Sequence, residues 1–276
     1  MTISSPSSAH SWEVEYKDLV YKFISDDDAE LLYDKYPKLR VGFEFYCPTC
    51  SGKREFVVSK KVVECDCRQQ VQLHKHYLVS NIGLLYQRLS WDDYQGDLKA
   101  RQLAELYLSN HREMTRTGMG IIYLGPFGTG KTMLVSLIAK ELVKLGYSVF
   151  FSTFTEMVDL FTKSWSSNVA RARFEAKVVE SEIFILDDVG KEFKTKNNLS
   201  ESTFDHVLRQ RAVDARPTLL TTNMTEPELD EGYGGAIFSL LKERSILHHS
   251  VGEDWRAKAR ERTLEEVLKG GIRLIV

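Results

Sequence analysis

The stretch Ile121-Ile-Tyr-Leu-Gly-Pro-Phe-Gly-Thr-Gly-Lys-Thr132 constrains this chain more than any other. An apolar run of strand length stops at Gly125, and Met133 to Leu145 reads as a helix with Leu134, Leu137, Ile138 and Leu142 on one side. Strand, G-x-x-x-x-G-K-T and helix is the order in which a glycine-rich loop cradles phosphate. Glycines let backbone N–H groups close around phosphate oxygens, and the helix N-terminus adds positive dipole. Gly125, Pro126, Phe127, Gly128, Thr129, Gly130, Lys131, Thr132 and Met133 are therefore expected to hold a nucleoside triphosphate. Lys131 should reach its β- and γ-phosphates and the Thr132 hydroxyl should ligate Mg²⁺. A chance glycine-rich turn would not come with both flanking elements.

Two later strands supply the chemistry such a loop needs. Ser181-Glu-Ile-Phe-Ile-Leu-Asp187-Asp188 is apolar and ends in two carboxylates, a Walker B pattern. Asp187 is expected to hold the Mg²⁺ hydration shell, and Asp188 to orient or deprotonate the attacking water. Arg216-Pro-Thr-Leu-Leu-Thr-Thr-Asn223 is another apolar strand, whose terminal amide can hold the same water. Ser148-Val-Phe-Phe-Ser reads as a short buried strand, and Phe154–Trp165, Ala170–Val179 and Phe204–Val213 read as helices. Parallel-type apolar strands alternating with helices predict an α/β sandwich built on a parallel sheet.

The N-terminal third reads differently. Glu13 to Leu39 suggests two short amphipathic helices. All four cysteines fall in one short segment, Cys47-Pro-Thr-Cys50 and Cys65-Asp-Cys67, around an apparent hairpin of Phe56-Val-Val-Ser and Lys61-Val-Val. Two pairs on tight turns suit a tetrahedral, structural Zn²⁺ site. His74 and His76 are possible substitutes, read instead as surface or interface residues of a helix over Gln69–Leu78. The aromatic, polar and aperiodic Asn81–Asp97 marks a junction near residue 80. The expected domains are thus an N-terminal helical and zinc-binding domain over 1–80 and a nucleotide domain over 81–276. Leu98–Thr115 reads as one helix with Leu103, Leu106, Tyr107 and Met114 on its apolar side. A hydrophobic content of 43% and a charged content of 28% suit a soluble globular protein. No apolar run approaches the ~20 residues of a membrane span, and the Ser-rich start is no export signal. A reducing cytoplasm is expected, and the net charge of −2 leaves nucleic-acid binding to local patches.

Gly125–Thr132, Ile183–Gly190 (Ile-Phe-Ile-Leu-Asp-Asp-Val-Gly) and Pro217–Asn223 together resemble the AAA+ ATPases of the DnaC/DnaI helicase-loader and IstB group. Gly252-Glu-Asp-Trp-Arg256 is similar to that family's final G-x-D-[YW]-R. The resemblance covers about residues 81–256. It implies an AAA+ three-layer sandwich with a reduced or absent C-terminal lid, ATP as the nucleotide, and DNA-stimulated hydrolysis. It also implies ATP-dependent self-assembly, single-stranded DNA as a ligand, and a replicative hexameric helicase as the partner, engaged by the cysteine-rich module. Such a chain loads the helicase during DNA replication. An IstB-like transposition helper and a nucleotide-gated DNA-binding scaffold with little turnover are the alternatives. In the family an arginine ending the helix before the Asn223 strand reaches a neighbour's nucleotide. Arg209 and Arg211 are available there, and Arg211 aligns better. The sensor 2 position falls on Arg244, or on His248 in another register. For DNA, Lys163, Arg171, Arg173 and Lys177 form one candidate set, and the Lys191–Lys196 loop with Phe193 the other.

Overall fold

Most strands of the main sheet are short runs rich in apolar residues, and a sheet built on such strands must be covered on both faces. The computed structural model describes residues 55–64, 67–190 and 199–268. Strands β1 (Glu55–Val58) and β2 (Lys61–Glu64) form the expected antiparallel hairpin. Its turn places Ser59 and Lys60 at φ of 50° and 65°, the left-handed pair that matches strand twist in a two-residue loop. The main sheet contains β3 (Gly120–Leu124), β4 (Val149–Thr153), β5 (Ile183–Val189), β6 (Thr218–Thr222) and β7 (Ser245–His249). Their order is β4-β5-β6-β3-β7, with every pair parallel.

Alternation along the strands builds two cores. Ile121, Tyr123, Val149, Phe151, Ile183, Ile185 and Leu219 face helices α1 (Cys67–Val79), α3 (Leu98–Ser109) and α5 (Lys131–Lys144). Ile122, Leu124, Phe150, Phe184, Leu186 and Leu220 face the opposite helices. Those are α6 (Phe154–Ser164), α7 (Asn168–Phe174), α8 (Leu199–Val213), α9 (Glu226–Tyr233) and α10 (Gly235–Arg244). The expected three-layer α/β sandwich is therefore present. Short helices α2 (Leu84–Gln87) and α4 (His111–Thr117) complete the first layer, and α11 (Arg256–Leu268) follows β7. Among the described residues, α11 is the only element after β7. Because all five strands run the same way, the carboxyl ends of β3, β5 and β6 lie side by side, where open α/β sheets bind ligands.

Several boundaries differ from the sequence reading. The junction near residue 80 does not detach α1 from the nucleotide domain, because Leu73 and Tyr77 share a core with α5 and the sheet. Lys140, 1% exposed, strengthens that union. Its ammonium donates to the carbonyls of Tyr86 (3.1 Å), Gln87 (3.3 Å) and Leu89, and lies 5.7 Å from the Tyr77 ring centroid. His74 and His76 are core residues of α1 at 1% and 7% exposure, not surface ones. The helix expected over 98–115 divides at Asn110, whose amide donates to the Leu106 carbonyl (2.9 Å) and competes with the helical ladder. Leu106 faces solvent rather than the core. The Glu13–Leu39 helices, Cys47, Cys50, Cys65 and the Lys191–Lys196 loop lie outside the described residues, as does the side chain of Cys67.

Candidate nucleotide site

β3 delivers the chain into its glycine loop at Gly125, whose φ is 139°. A Cβ there would stand 2.4 Å from the Ser250 carbonyl oxygen, so only glycine fits. Gly128 has φ of 77°, and a Cβ on it would meet the Asp254 carboxylate at 2.0 Å. At these two positions the loop is wrapped so tightly that no side chain fits. Gly130 caps α5, and Lys131 and Thr132 open that helix. The Lys131 ammonium donates to the carbonyls of Gly125 and Pro126, both at 2.7 Å, and to Asn223 Oδ1 at 3.0 Å. Thr129 Oγ1 donates to the Pro126 carbonyl (3.0 Å), while Phe127 is exposed.

The Walker B pair is brought to the same place. Asp187, 4% exposed, accepts from Thr132 Oγ1 at 3.0 Å and from Thr221 Oγ1 at 2.5 Å. A bulge between Leu186 and Val189 shifts the β5–β6 register, and Asp188 sits in it at φ of 59°. Bulges re-aim side chains beside active sites. The Asp188 N–H donates to Thr221 Oγ1 (3.0 Å), and Asn223 Nδ2 donates to Asp188 Oδ1 (3.4 Å). Asn223 therefore bridges Lys131 and Asp188. These contacts fit a nucleoside triphosphate with Mg²⁺. A glycine loop runs into a helix N-terminus that carries one lysine, and Thr132 and Asp187 present adjacent hard oxygen donors.

Two of the expected arginines do not take the places anticipated for them. Arg211 is 0% exposed. Its guanidinium donates to the carbonyls of Val178 and Val179 at 3.0 Å, Ser181 at 2.9 Å and Pro217 at 2.7 Å, and to Thr218 Oγ1 at 3.0 Å. Burial pushes it down to about 9, so it stays charged at neutral pH. A side chain enclosed in its own subunit cannot reach a neighbour, because α8 turns this position inward and Arg209 outward to Asp205. Arg244 ends α10, next to Ser245, and Ser245 pairs with Gly120 at the start of β3. The glycine loop follows the other end of that strand, about 13 Å away at 3.3 Å per residue. Arg244 therefore cannot serve its own loop as sensor 2. The other register fails as well, because His248 Nε2 bonds the Asp97 carboxylate at 2.9 Å. Burial opposes ionisation of Asp97, yet hydrogen bonds from His248 and the Val251 N–H hold it below the usual carboxylate range.

Arg256 follows the residue that seats the C-terminal segment on the loop. The Trp255 N–H donates to the Gly128 carbonyl (3.1 Å), which seats the Gly252–Arg256 segment on the loop. Burial raises the Tyr86 phenol, Asp187 and Asp188 raise it further, and Arg256 counters them, so these four groups share one electrostatic neighbourhood. Beside it lies a cavity of about 690 Å³ lined by Leu85, Leu89, Tyr94, Met133 and Trp255 among others. Its volume suits a nucleotide's base and sugar. Sequence reasoning missed this wall because Asn81–Asp97 has no period and resembles a linker. The Gly252–Arg256 motif was the available signal for Arg256.

Comparison with known proteins agrees with this geometry. Residues 56–261 match the family described as IstB-like ATP binding protein. The chain is 27% identical over 173 residues to the "Insertion sequence IS5376 putative ATP-binding protein" of Geobacillus stearothermophilus, covering 61% of this chain and 64% of that one. It is 27% identical over 215 residues to the "Replicative helicase loader DnaI" of Bacillus subtilis (strain 168), covering 75% of this chain and 65% of DnaI. The match thus spans just under two thirds of each of these relatives. Among solved structures, the DnaC helicase loader superposes with a TM-score of 0.53 at 19% identity, over 60% of this chain and 98% of that chain, and shares its fold.

Proposed function

From the premise that the chain belongs to the family of IstB-like ATP binding proteins, we propose that it is an ATPase that loads a replicative hexameric helicase onto single-stranded DNA. The observation that carries ATP hydrolysis is the constellation of Lys131, Thr132, Asp187, Asp188 and Asn223 at adjacent strand ends. Lys131 would leave the loop carbonyls for the β- and γ-phosphates. Thr132 and Asp187 would hold Mg²⁺, which when bound supplies neutralising charge to the triphosphate. Asp188 would take the proton of the attacking water, oriented with Asn223, and Arg256 would face the site in cis.

The trans-acting arginine is reassigned to Arg244. Its side chain is 41% exposed and stands at the end of the sheet opposite its own loop, as a residue serving a neighbour requires. Of the relatives described, the alignment with DnaI spans the larger share of this chain, which supports the loader. One Zn²⁺ on Cys47, Cys50, Cys65 and Cys67 is part of this reading, and the antiparallel pairing of Glu55 with Glu64 in the β1–β2 hairpin is compatible with it. That module would engage the helicase.

A transposition helper remains the second reading, favoured by the similarity to the IS5376 protein. Pull-down with the host's replicative helicase, together with ATPase assays on single-stranded and duplex DNA, separates the two. Helicase capture with single-strand stimulation is expected. Duplex stimulation without capture would overturn the loader.

A further inference from the structure

The glycine loop lies between two backbone segments that meet each other behind it. At its start, the Ser250 N–H donates to the Leu124 carbonyl (2.7 Å), and the Ser250 carbonyl occupies the space a side chain on Gly125 would need. Near its end, a Cβ on Gly96 would stand 2.6 Å from the Thr129 carbonyl oxygen, so this segment too meets the loop with bare backbone. The residues that follow these two contacts, Val251 and Asp97, are bonded to each other although 154 positions apart in the chain. Asp97 Oδ2 accepts from the Val251 N–H (3.1 Å) and from His248 Nε2 (2.9 Å). Its Oδ1 accepts from the N–H groups of Lys99 (2.8 Å) and Ala100 (3.4 Å), which caps α3. The side chain is 5% exposed. His248 also meets the Tyr123 ring edge-on, with centroids 5.9 Å apart, and the Tyr123 hydroxyl donates to the Ala100 carbonyl (3.3 Å). The tie therefore closes through β3 itself.

We propose that Asp97 is a positioning residue for the phosphate loop, joining the segment before α3 to the segment after β7 and so fixing the gap in which Gly125–Thr129 lies. This rests on the nucleotide reading above and adds to it a residue outside the loop. A binding loop must be held to within fractions of an ångström by the groups behind it. A loop free to widen would have to be ordered as phosphate binds, and that cost is subtracted from affinity. An ionised carboxylate suits the position because both of its oxygens accept, one toward the helix and one toward the strand.

Asp97→Asn separates the tie from the cap. Asparagine caps a helix as well as aspartate does, but its amide would turn a donor toward the Val251 N–H. Titrated as the full chain with Mg²⁺, this variant should bind a nonhydrolysable ATP analogue about tenfold more weakly than wild type. His248→Ala should also lose affinity, and His248→Gln, whose amide can donate to Asp97, should recover most of that loss. Without nucleotide, hydrogen exchange in Asp97→Asn should quicken across 125–132 and stay as in wild type across β4 and β5. Wild-type affinity in Asp97→Asn, equal losses in His248→Gln and His248→Ala, or faster exchange throughout the sheet would each overturn the proposal. The nucleotide reading fails separately, if Lys131→Ala binds ATP as wild type does.

Discussion

Arg211 donates to five main-chain carbonyls, those of Val178, Val179, Ser181, Glu182 and Pro217, and to the Thr218 hydroxyl, from a position without solvent contact. The carbonyls come from the turn leading into β5 and from the start of β6, so this one side chain ties α8 to two adjacent strands. Arg211→Ala would leave those acceptors buried. An orphaned acceptor costs about 1–3 kcal/mol, and partial relaxation reduces the sum. A destabilisation of roughly 4–5 kcal/mol is expected, against a total of about 5–15 for a typical domain. Arg211→Lys, with a single ammonium, cannot span the fork and should recover less than half of the loss. Urea unfolding followed by fluorescence would show a lower midpoint with an unchanged slope. The reasoning fails if Arg211→Ala unfolds like wild type and regains turnover when mixed with Lys131→Ala chains, because only a residue reaching a neighbour behaves so.

Other outcomes follow from the site and from the buried histidine. Lys131→Ala should abolish ATP binding in equilibrium titration, whereas Asp188→Asn should bind ATP and lose DNA-stimulated hydrolysis. Arg244→Ala should bind ATP normally and lose about 10³ in stimulated rate. Activity should return when it is mixed with Lys131→Ala chains, and no return in mixtures shown to co-assemble would remove Arg244 from the neighbour's site. Metal analysis of fresh protein should find one Zn²⁺ per chain, and Cys65→Ser should lose it. Burial lowers His74 to about 4 despite its 2.7 Å bond to Gln87. Between that value and the ordinary 6.5 the unfolded chain binds the extra proton, so stability should fall as pH drops through this window, by up to about 3 kcal/mol. A His74→Gln chain with the same acid limb would contradict this.

The parts of the molecule legible in sequence are those governed by local rules. The glycine loop, the two strands ending in Asp187–Asp188 and Asn223, and the β1–β2 hairpin each announce themselves by residue type and period, and each is where it was expected. The failures share a physical cause. Whether a helical arginine faces in or out depends on a few degrees of rotation set by packing, and Arg211 and Arg209, two positions apart, took opposite sides of α8. Which end of a strand Arg244 adjoins is a property of topology, invisible until β7 is known to pair with β3. The cavity beside the loop is built from an aperiodic segment and a distant helix, so no single stretch of sequence carries its signature.

The order of the sheet also dictates a timetable for synthesis. β3 carries the loop, yet its two neighbours are β6 and β7: Ile121 pairs with Leu219 and with Ile246. Both partners leave the ribosome about a hundred residues or more after β3 does, at speeds of roughly 5–20 residues per second. For those seconds Gly-Ile-Ile-Tyr-Leu is an unpaired apolar strand, and the loop it anchors has no wall formed by β5 and β6. Nucleotide therefore cannot assist the early stages of folding. Such non-local pairing slows closure of the sheet and lengthens the interval in which the strand is open to wrong partners. A chain stalled before residue 245 would display its nucleotide motif while lacking the edge strand that completes the sheet, which makes the C-terminal third the step that commits the protein to its fold.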